Sequence, residues 1–209
     1  MNRTRWILAA LFVVPVASAF AQSRHGARDV MPRDKELALA RSAAPTAVSE
    51  KARVWVWTGR TYAIGDSGTS SVNCFVARNW VPSVEPHCMD EEASATILPI
   101  FIRKIELYAQ GKSDADVERD FSERLARGEA RLPSRPAVTY MMSEVQELVN
   151  GQGAAVGPWQ PHLMIYYPRL TGEQTGLLGF VPGIGFVENP GTPLSALIIP
   201  LKSFVPLPK

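Results

Sequence analysis

Ser67 lies in the stretch YAIGDSGTSS, residues 62–71, where a short apolar run leads into a glycine-flanked turn. A serine held on such a turn could act as a nucleophile in hydrolysis if a nearby base removed its proton. That chemistry needs a histidine, and an acid that orients the histidine, elsewhere in the chain. Gly, Asp and Ser are also the residues that a tight turn between two strands selects. The role of Ser67 therefore depends on its partners.

The Gly-Asp-Ser-Gly sequence resembles the serine box of trypsin-like proteases and the first block of small secreted lipases and esterases. The protease order places a histidine before the serine, but the only histidine there is His25, near the N-terminus. The esterase order needs an acid three residues before a downstream histidine, and neither His87 nor His162 has one. We therefore predict that Ser67 is a turn residue and keep a secreted hydrolase using Ser67 as the alternative.

Cys74 and Cys88 are the only two cysteines of the chain, and we predict that they form a disulfide. The bond would close a loop of about 15 residues and stabilise the fold by roughly 3 kcal/mol in the chain-entropy model. An alternative is a hydrolase in which a reduced Cys88 is the nucleophile and His162, on a later strand, is the base. That mechanism requires an ionised thiol, which a disulfide excludes.

His87 and Asp90 lie close together in the sequence, and His162 could approach them from a later strand. Imidazole and carboxylate groups suit zinc, but the chain contains no tight motif such as H-E-x-x-H. The favoured interpretation is that Asp90 caps a helix, and a metal site formed by His87, Asp90 and His162 is the alternative. We predict no cofactor.

The N-terminal residues 1–21 have the three parts of a secretory signal peptide. Arg3 and Arg5 precede the apolar residues 6–14, which are too few to span a bilayer, and small residues follow at the cleavage positions. We expect export to the periplasm or the medium, with no stable membrane insertion after cleavage. Residues 22–32 are predicted to be a flexible leader, and residues 33–209 a single domain.

Removal of this signal peptide would leave a chain without net charge. Arg3 and Arg5 are two of the 22 basic residues and residues 1–21 contain no acid, so 20 basic and 20 acidic side chains remain. Nucleic-acid binding requires a basic patch. The charge balance therefore argues against a nucleic-acid partner.

Three segments have the apolar spacing of helices. Residues 33–44 are weakly amphipathic and stop before a proline. Residues 93–110 contain Pro99, so they form either one helix or a strand followed by a helix. The third helix is predicted from the N-cap Ser113 to Gly128, with an apolar stripe of Val117, Phe121 and Leu125.

Six short runs have strand character, three before the helical segments 93–110 and 113–128 and three after them. They are RVWVWT, TYAI, VNCFVA, AVTYMM, HLMIYY and SALIIPL. This order predicts an α+β domain with one antiparallel sheet of about five to six strands, covered by two to three helices. The element order is similar to that of the PAS and profilin-like folds, a loose analogy that implies no function.

Two Gly- and Pro-rich loops, residues 150–161 and 171–193, are unusually apolar. Apolar side chains in loops either complete the core or form a ligand pocket or a partner surface. We expect them mainly to pack, with a binding site where the loops meet. The predicted binding residues are Trp159, Tyr167, Phe180 and Phe186. The sequence thus favours a non-catalytic exported domain that binds an apolar small ligand or a protein partner through its C-terminal loops.

Overall fold

The structure is a computed structural model that describes residues 30–78, 84–149, 155–158 and 160–207. The predicted signal peptide, most of the leader and Trp159 lie outside the described residues. The helices are α1 (Arg33–Arg41), α2 (Thr46–Ser49), α3 (Glu91–Ala109), α4 (Asp114–Ala126) and α5 (Gly172–Thr175). The strands are β1 (Arg53–Trp57), β2 (Tyr62–Asp66), β3 (Asn73–Ala77), β4 (Glu85–Met89), β5 (Ala137–Met141), β6 (Glu147–Val149), β7 (Ala155–Pro158), β8 (His162–Tyr166), β9 (Phe186–Glu188) and β10 (Ala196–Pro200).

A large sheet of eight strands has the order β2-β1-β3-β4-β5-β8-β10-β9, and β6 and β7 form a separate antiparallel pair. Neighbouring strands of the large sheet are antiparallel except for β1 and β3, which are parallel. The predicted α+β class is therefore confirmed. The predicted sheet of five to six purely antiparallel strands is corrected to a mixed sheet of eight.

The parallel pair arises because the chain crosses the beginning of β1 between β2 and β3. In this crossing the backbone N–H groups of Thr69 and Ser70 donate to the carbonyl of Lys51, and the N–H of Arg53 donates to Val72. A direct connection between parallel strands normally needs a dozen or more residues. Here β2 runs antiparallel to β1 and brings the chain back to the beginning of β1, so a short loop is enough to connect β2 to β3.

Two strands of the large sheet, β4 and β9, were not predicted. β4 contains Pro86, and a proline argues against a central strand because it cannot donate a hydrogen bond. β4 pairs along its length with β3 but pairs with β5 only at Cys88 and Met89, so Pro86 lies beyond the doubly paired part. β9 has three residues and lies inside the Gly- and Pro-rich loop 171–193, where no periodic pattern is visible.

Helices cover both faces of the sheet, and each face has its own apolar core. α1 packs over β1, β3 and β4, where Val54, Val76 and the two cysteines are buried. α3 packs on the opposite face over β3, β4 and β5, against Phe75 and Met89 among others. The run Val54–Trp57 is apolar on both faces, which is typical of a strand covered on both sides, and Val54 and Trp57 are buried in opposite cores.

The segment around Pro99 is one continuous helix, α3, which settles the choice that the sequence left open. Asp90 is its N-cap and accepts a hydrogen bond from the N–H of Ala93 at 2.7 Å. Pro99 has no N–H to donate to the carbonyl of Ala95. Both residues are exposed, so that carbonyl can be hydrated and the helix tolerates the proline. None of the described helices is long and apolar enough to cross a membrane.

The predicted disulfide is present. Cys74 and Cys88 are directly opposite each other on β3 and β4, with their Cα atoms 4.1 Å apart. Both residues are fully buried beneath α1. The covalent bond therefore joins two central strands at the place where α1 packs on them.

A buried ion pair joins α1 to the sheet. Oε1 of Glu36 is 2.9 Å from Nη1 of Arg78, and both side chains are almost completely buried. The same Oε1 accepts the backbone N–H of Trp57 at 3.1 Å. Burial raises the pKa of Glu36, and Arg78 opposes that rise. One carboxyl group thus connects α1 to both β1 and the end of β3.

We expect the substitution Glu36→Gln to destabilise the protein by about 3–5 kcal/mol, because it leaves the guanidinium of Arg78 buried without its counter-charge. Urea unfolding measures the loss. The matched control is Arg119→Gln, which removes the exposed ion pair with Asp116 on α4 and should cost less than about 1 kcal/mol. Equal effects of the two substitutions would contradict the role given to Glu36.

Candidate functional site

Ser67 lies in the loop that crosses the beginning of β1, and the backbone geometry there explains the Gly-Asp-Ser-Gly sequence. Gly68 has a positive φ of 57°, and a Cβ at this position would overlap backbone atoms of Ala52 and Arg53. Asp66 accepts the N–H of Gly68 at 3.0 Å through its side chain. The residue types of a serine box are thus those that this close crossing requires.

The structure does not bring Ser67, Cys88 and His162 together. Ser67 is exposed in the loop between β2 and the beginning of β1, whereas His162 is on β8, at least four strand spacings or roughly 19 Å away across the sheet. The strand register places Cys88 on the α1 face and His162 on the α3 face. The sulfur of Cys88 is also bonded to Cys74.

Each residue of the alternative metal site has a structural setting of its own. Asp90 caps α3, as the sequence suggested. His87 and His162 are buried on the α3 face, and Nε2 of His87 is 3.9 Å from Oε2 of Glu85. No three His, Cys, Asp or Glu side chains in the described ranges are grouped closely enough to hold a metal ion.

The C-terminal loop, residues 171–193, packs only in part. Val187 is buried and Phe186 is half-buried against the α3-face core. Phe180 makes an edge-to-face contact with Phe186, with ring centroids 6.0 Å apart, but remains 64% exposed. Two more large apolar side chains of the loop are in solvent, since Leu178 is 80% exposed and Ile184 is 58% exposed. Tyr167, just before the loop, is half exposed.

A cleft of about 600 Å³ lies elsewhere, between α3 and α4. Residues 129–131 close one side of it, and Leu194, just after the C-terminal loop, contributes one apolar side chain. The apolar lining comprises Pro99, Ile100, Leu107, Val117, Phe121 and Leu194. This volume is within the range of about 300–1,000 Å³ that is usual for small-molecule sites.

The cleft exists because the buried apolar contact between α4 and α3 is confined to the start of α4. A turn with Gly111 at a positive φ reverses the chain, and Ser113 and Asp116 form a capping box that starts α4. Val117 is the buried residue of α4, packed in a small cluster with Leu107 and Tyr108 of α3. Further along, the predicted apolar stripe of α4 remains partly open.

An ion pair holds the two walls of this cleft together. Arg103 of α3 donates two hydrogen bonds to Asp120 of α4, at 2.6 and 3.2 Å. These bonds lower the pKa of Asp120 and raise the pKa of Arg103. Such paired, parallel bonds are stronger and more directional than single ones. They fix the distance between the helices without filling the space between them.

Lys104 was not singled out in the sequence, yet it is a partly buried ammonium group in the wall of the cleft. Its Nζ is 5.8 Å from the centre of the Tyr108 ring, and burial lowers its pKa. The available signal was that Arg103 and Lys104 are the only two basic residues in the otherwise apolar and acidic sequence of α3. The stripe predicted for α4 supplied the opposite wall.

Comparison of this chain with protein-family models, with curated protein sequences and with solved structures gave no match.

His162 gives the described structure a defined pH dependence. Burial lowers its pKa from 6.5 to about 4, and its Nδ1 is 2.7 Å from the carbonyl oxygen of Gln160, which can only accept a hydrogen bond. Nδ1 therefore carries the proton of the neutral ring. Below pH 6.5 the unfolded chain binds a proton at this histidine that the native protein does not bind until about pH 4.

We therefore expect His162 to reduce the stability of the native protein progressively as the pH falls from 6.5 to 4, by about 3 kcal/mol over the whole window. Urea unfolding across this range should show that the variant His162→Gln loses less stability than the wild type by that amount. Parallel stability curves for the two proteins would contradict the expectation.

Proposed function

We propose that this protein is an exported, non-catalytic binding domain that takes a small molecule with an apolar body into the cleft between α3 and α4. The main support for this proposal is the cleft itself, which combines about 600 Å³ of space with apolar side chains from both helices. Concave, mostly apolar sites with a few polar groups are the usual form of small-molecule sites. The buried disulfide is compatible with export, because such bonds persist in oxidising compartments.

The test uses the neutral dye N-phenyl-1-naphthylamine, whose fluorescence rises in apolar surroundings. We expect the native protein to bind the dye and the variant Ala95→Trp to lose this binding. Ala95 lines the cleft and is exposed, so an indole at this position fills the cleft without disturbing the core.

The matched control is Ala115→Trp, an exposed alanine of α4 that does not line the cleft. This variant should bind the dye as the wild type does, and both variants should keep the unfolding midpoint of the wild type. Absence of dye binding by the native protein, or equal binding by Ala95→Trp, would rule out the proposed site.

A second candidate function is the docking of a protein partner on the C-terminal loop. The favouring observation is that Leu178, Phe180 and Ile184 protrude beside β9, the last strand of the large sheet. Solvent-exposed apolar groups of this size often mark interaction sites. Among the described strands β9 pairs with β10 alone, so an extended segment of a partner could add a strand at β9 while the side chains of that segment cover the loop.

If the loop serves a partner rather than the core, its exposed residues should contribute little to stability. We expect Leu178→Ser and Ile184→Ser each to change the free energy of unfolding by less than about 0.5 kcal/mol. Val187→Ser, in the buried part of the same loop, should cost about 2 kcal/mol or more. Losses of that size at Leu178 and Ile184 would instead show that the loop completes the core.

A further inference from the structure

Most of the charged side chains that line the cleft between α3 and α4 are committed to one another or to water. Arg103 is bonded to Asp120, and Nη1 of Arg124 is 3.5 Å from Oε2 of Glu129. Arg131 also lines the cleft but is exposed to solvent. The pair Arg103–Asp120 joins the two helices, whereas the pair Arg124–Glu129 lies on the α4 side of the cleft.

Lys104 differs from these charged groups. No carboxylate oxygen of the described residues lies within 4.0 Å of its Nζ, which is placed 5.8 Å from the centre of the Tyr108 ring. Four acids face it from the surrounding elements without forming an ion pair with it, namely Glu85, Asp114, Glu118 and Glu188. Asp114 accepts the hydroxyl of Tyr108 at 2.9 Å, and Glu118 is exposed.

The ammonium group of Lys104 is influenced by these acids over a distance, but no carboxylate of the described residues is bonded to it. Burial lowers the pKa of Lys104 and raises the pKa of Glu188, and the attraction between the two groups opposes both shifts without forming a bonded ion pair. A buried charge is costly unless it is paired and hydrogen-bonded. An anionic group that entered the cleft would supply the missing partner, whereas a cationic group would meet an ammonium already in place.

We propose that the ligand of this cleft is an amphipathic anion, a carboxylate on an aliphatic or aromatic body, whose head group binds the ammonium of Lys104. The body would lie along Leu107, Val117 and Phe121, on the facing sides of the two helices. The inference rests on the proposed function, since it names the ligand class of the same cleft. Charge-assisted hydrogen bonds of this kind are about twice as strong as neutral ones.

A matched pair of ligands, decanoate and 1-decanol, separates the contribution of the head group from that of the apolar chain. Each is titrated near neutral pH against protein loaded with N-phenyl-1-naphthylamine, and displacement of the dye gives its affinity. We expect decanoate to bind more tightly than decanol. Lys104→Met should weaken decanoate by about tenfold and leave decanol within about twofold. Lys104→Arg, which keeps the charge, should retain much of the preference for decanoate.

The outcomes distinguish the two levels of the proposal. If the dye binds in the cleft and Lys104→Met changes decanoate and decanol equally, or changes neither, the anionic ligand class is wrong and the apolar site stands. If the native protein does not bind the dye, both the proposed function and this inference fail. A far-ultraviolet circular dichroism spectrum and an unfolding midpoint like those of the wild type establish that each variant is folded.

Discussion

The buried ion pair between Glu36 and Arg78 is the contact on which the arrangement of the layers depends. It lies between α1 and the sheet, where one carboxyl oxygen serves both the guanidinium of Arg78 and the backbone N–H of Trp57. Any shift of α1 would leave a charge buried without its partner, which costs several kcal/mol. The position of α1 over the disulfide of β3 and β4 is therefore strongly determined. α1 covers one face of the sheet in this way, and the cleft lies between α3 and α4 on the other face.

The cleft on that other face is a consequence of unequal anchoring. α3 lies on the sheet along much of its length, whereas α4 contacts α3 through Val117, the hydrogen bond from Tyr108 to Asp114 and the Arg103–Asp120 pair. The apolar contact at the start of α4 and the directional ion pair further along fix the distance between the two helices, and the space beside these contacts remains open. The apolar side chain of Phe121 therefore lines an open space instead of a packed core. This space, with Lys104 in its wall, is the feature of the described structure best suited to a ligand.

The serine of the Gly-Asp-Ser-Gly sequence shows how a motif can be selected by backbone geometry. The chain between β2 and β3 passes so close to Ala52 and Arg53 that position 68 accepts no side chain, and the turn is fixed by Asp66. The close backbone crossing explains these residue types without a catalytic role for Ser67. The pattern is therefore compatible with a domain that binds and does not catalyse, which is the function proposed for the cleft.

The sequence by itself determined the features that depend on local chemistry. The capping box at Ser113, the N-cap Asp90, the two-faced strand β1 and the pairing of the only two cysteines follow from residue types and short spacings, and the structure contains all of them. The tertiary structure decided what depends on distant neighbours. Strand β4 forms despite Pro86 because β3 pairs with it along its whole length. Strands β1 and β3 are parallel because the connection from β2 to β3 crosses the beginning of β1. The setting of Lys104 is decided in the same way. The packing of α3 against the sheet and α4 buries its ammonium group where no carboxylate of the described residues is bonded to it, and the sequence of α3 specifies only that a lysine is present.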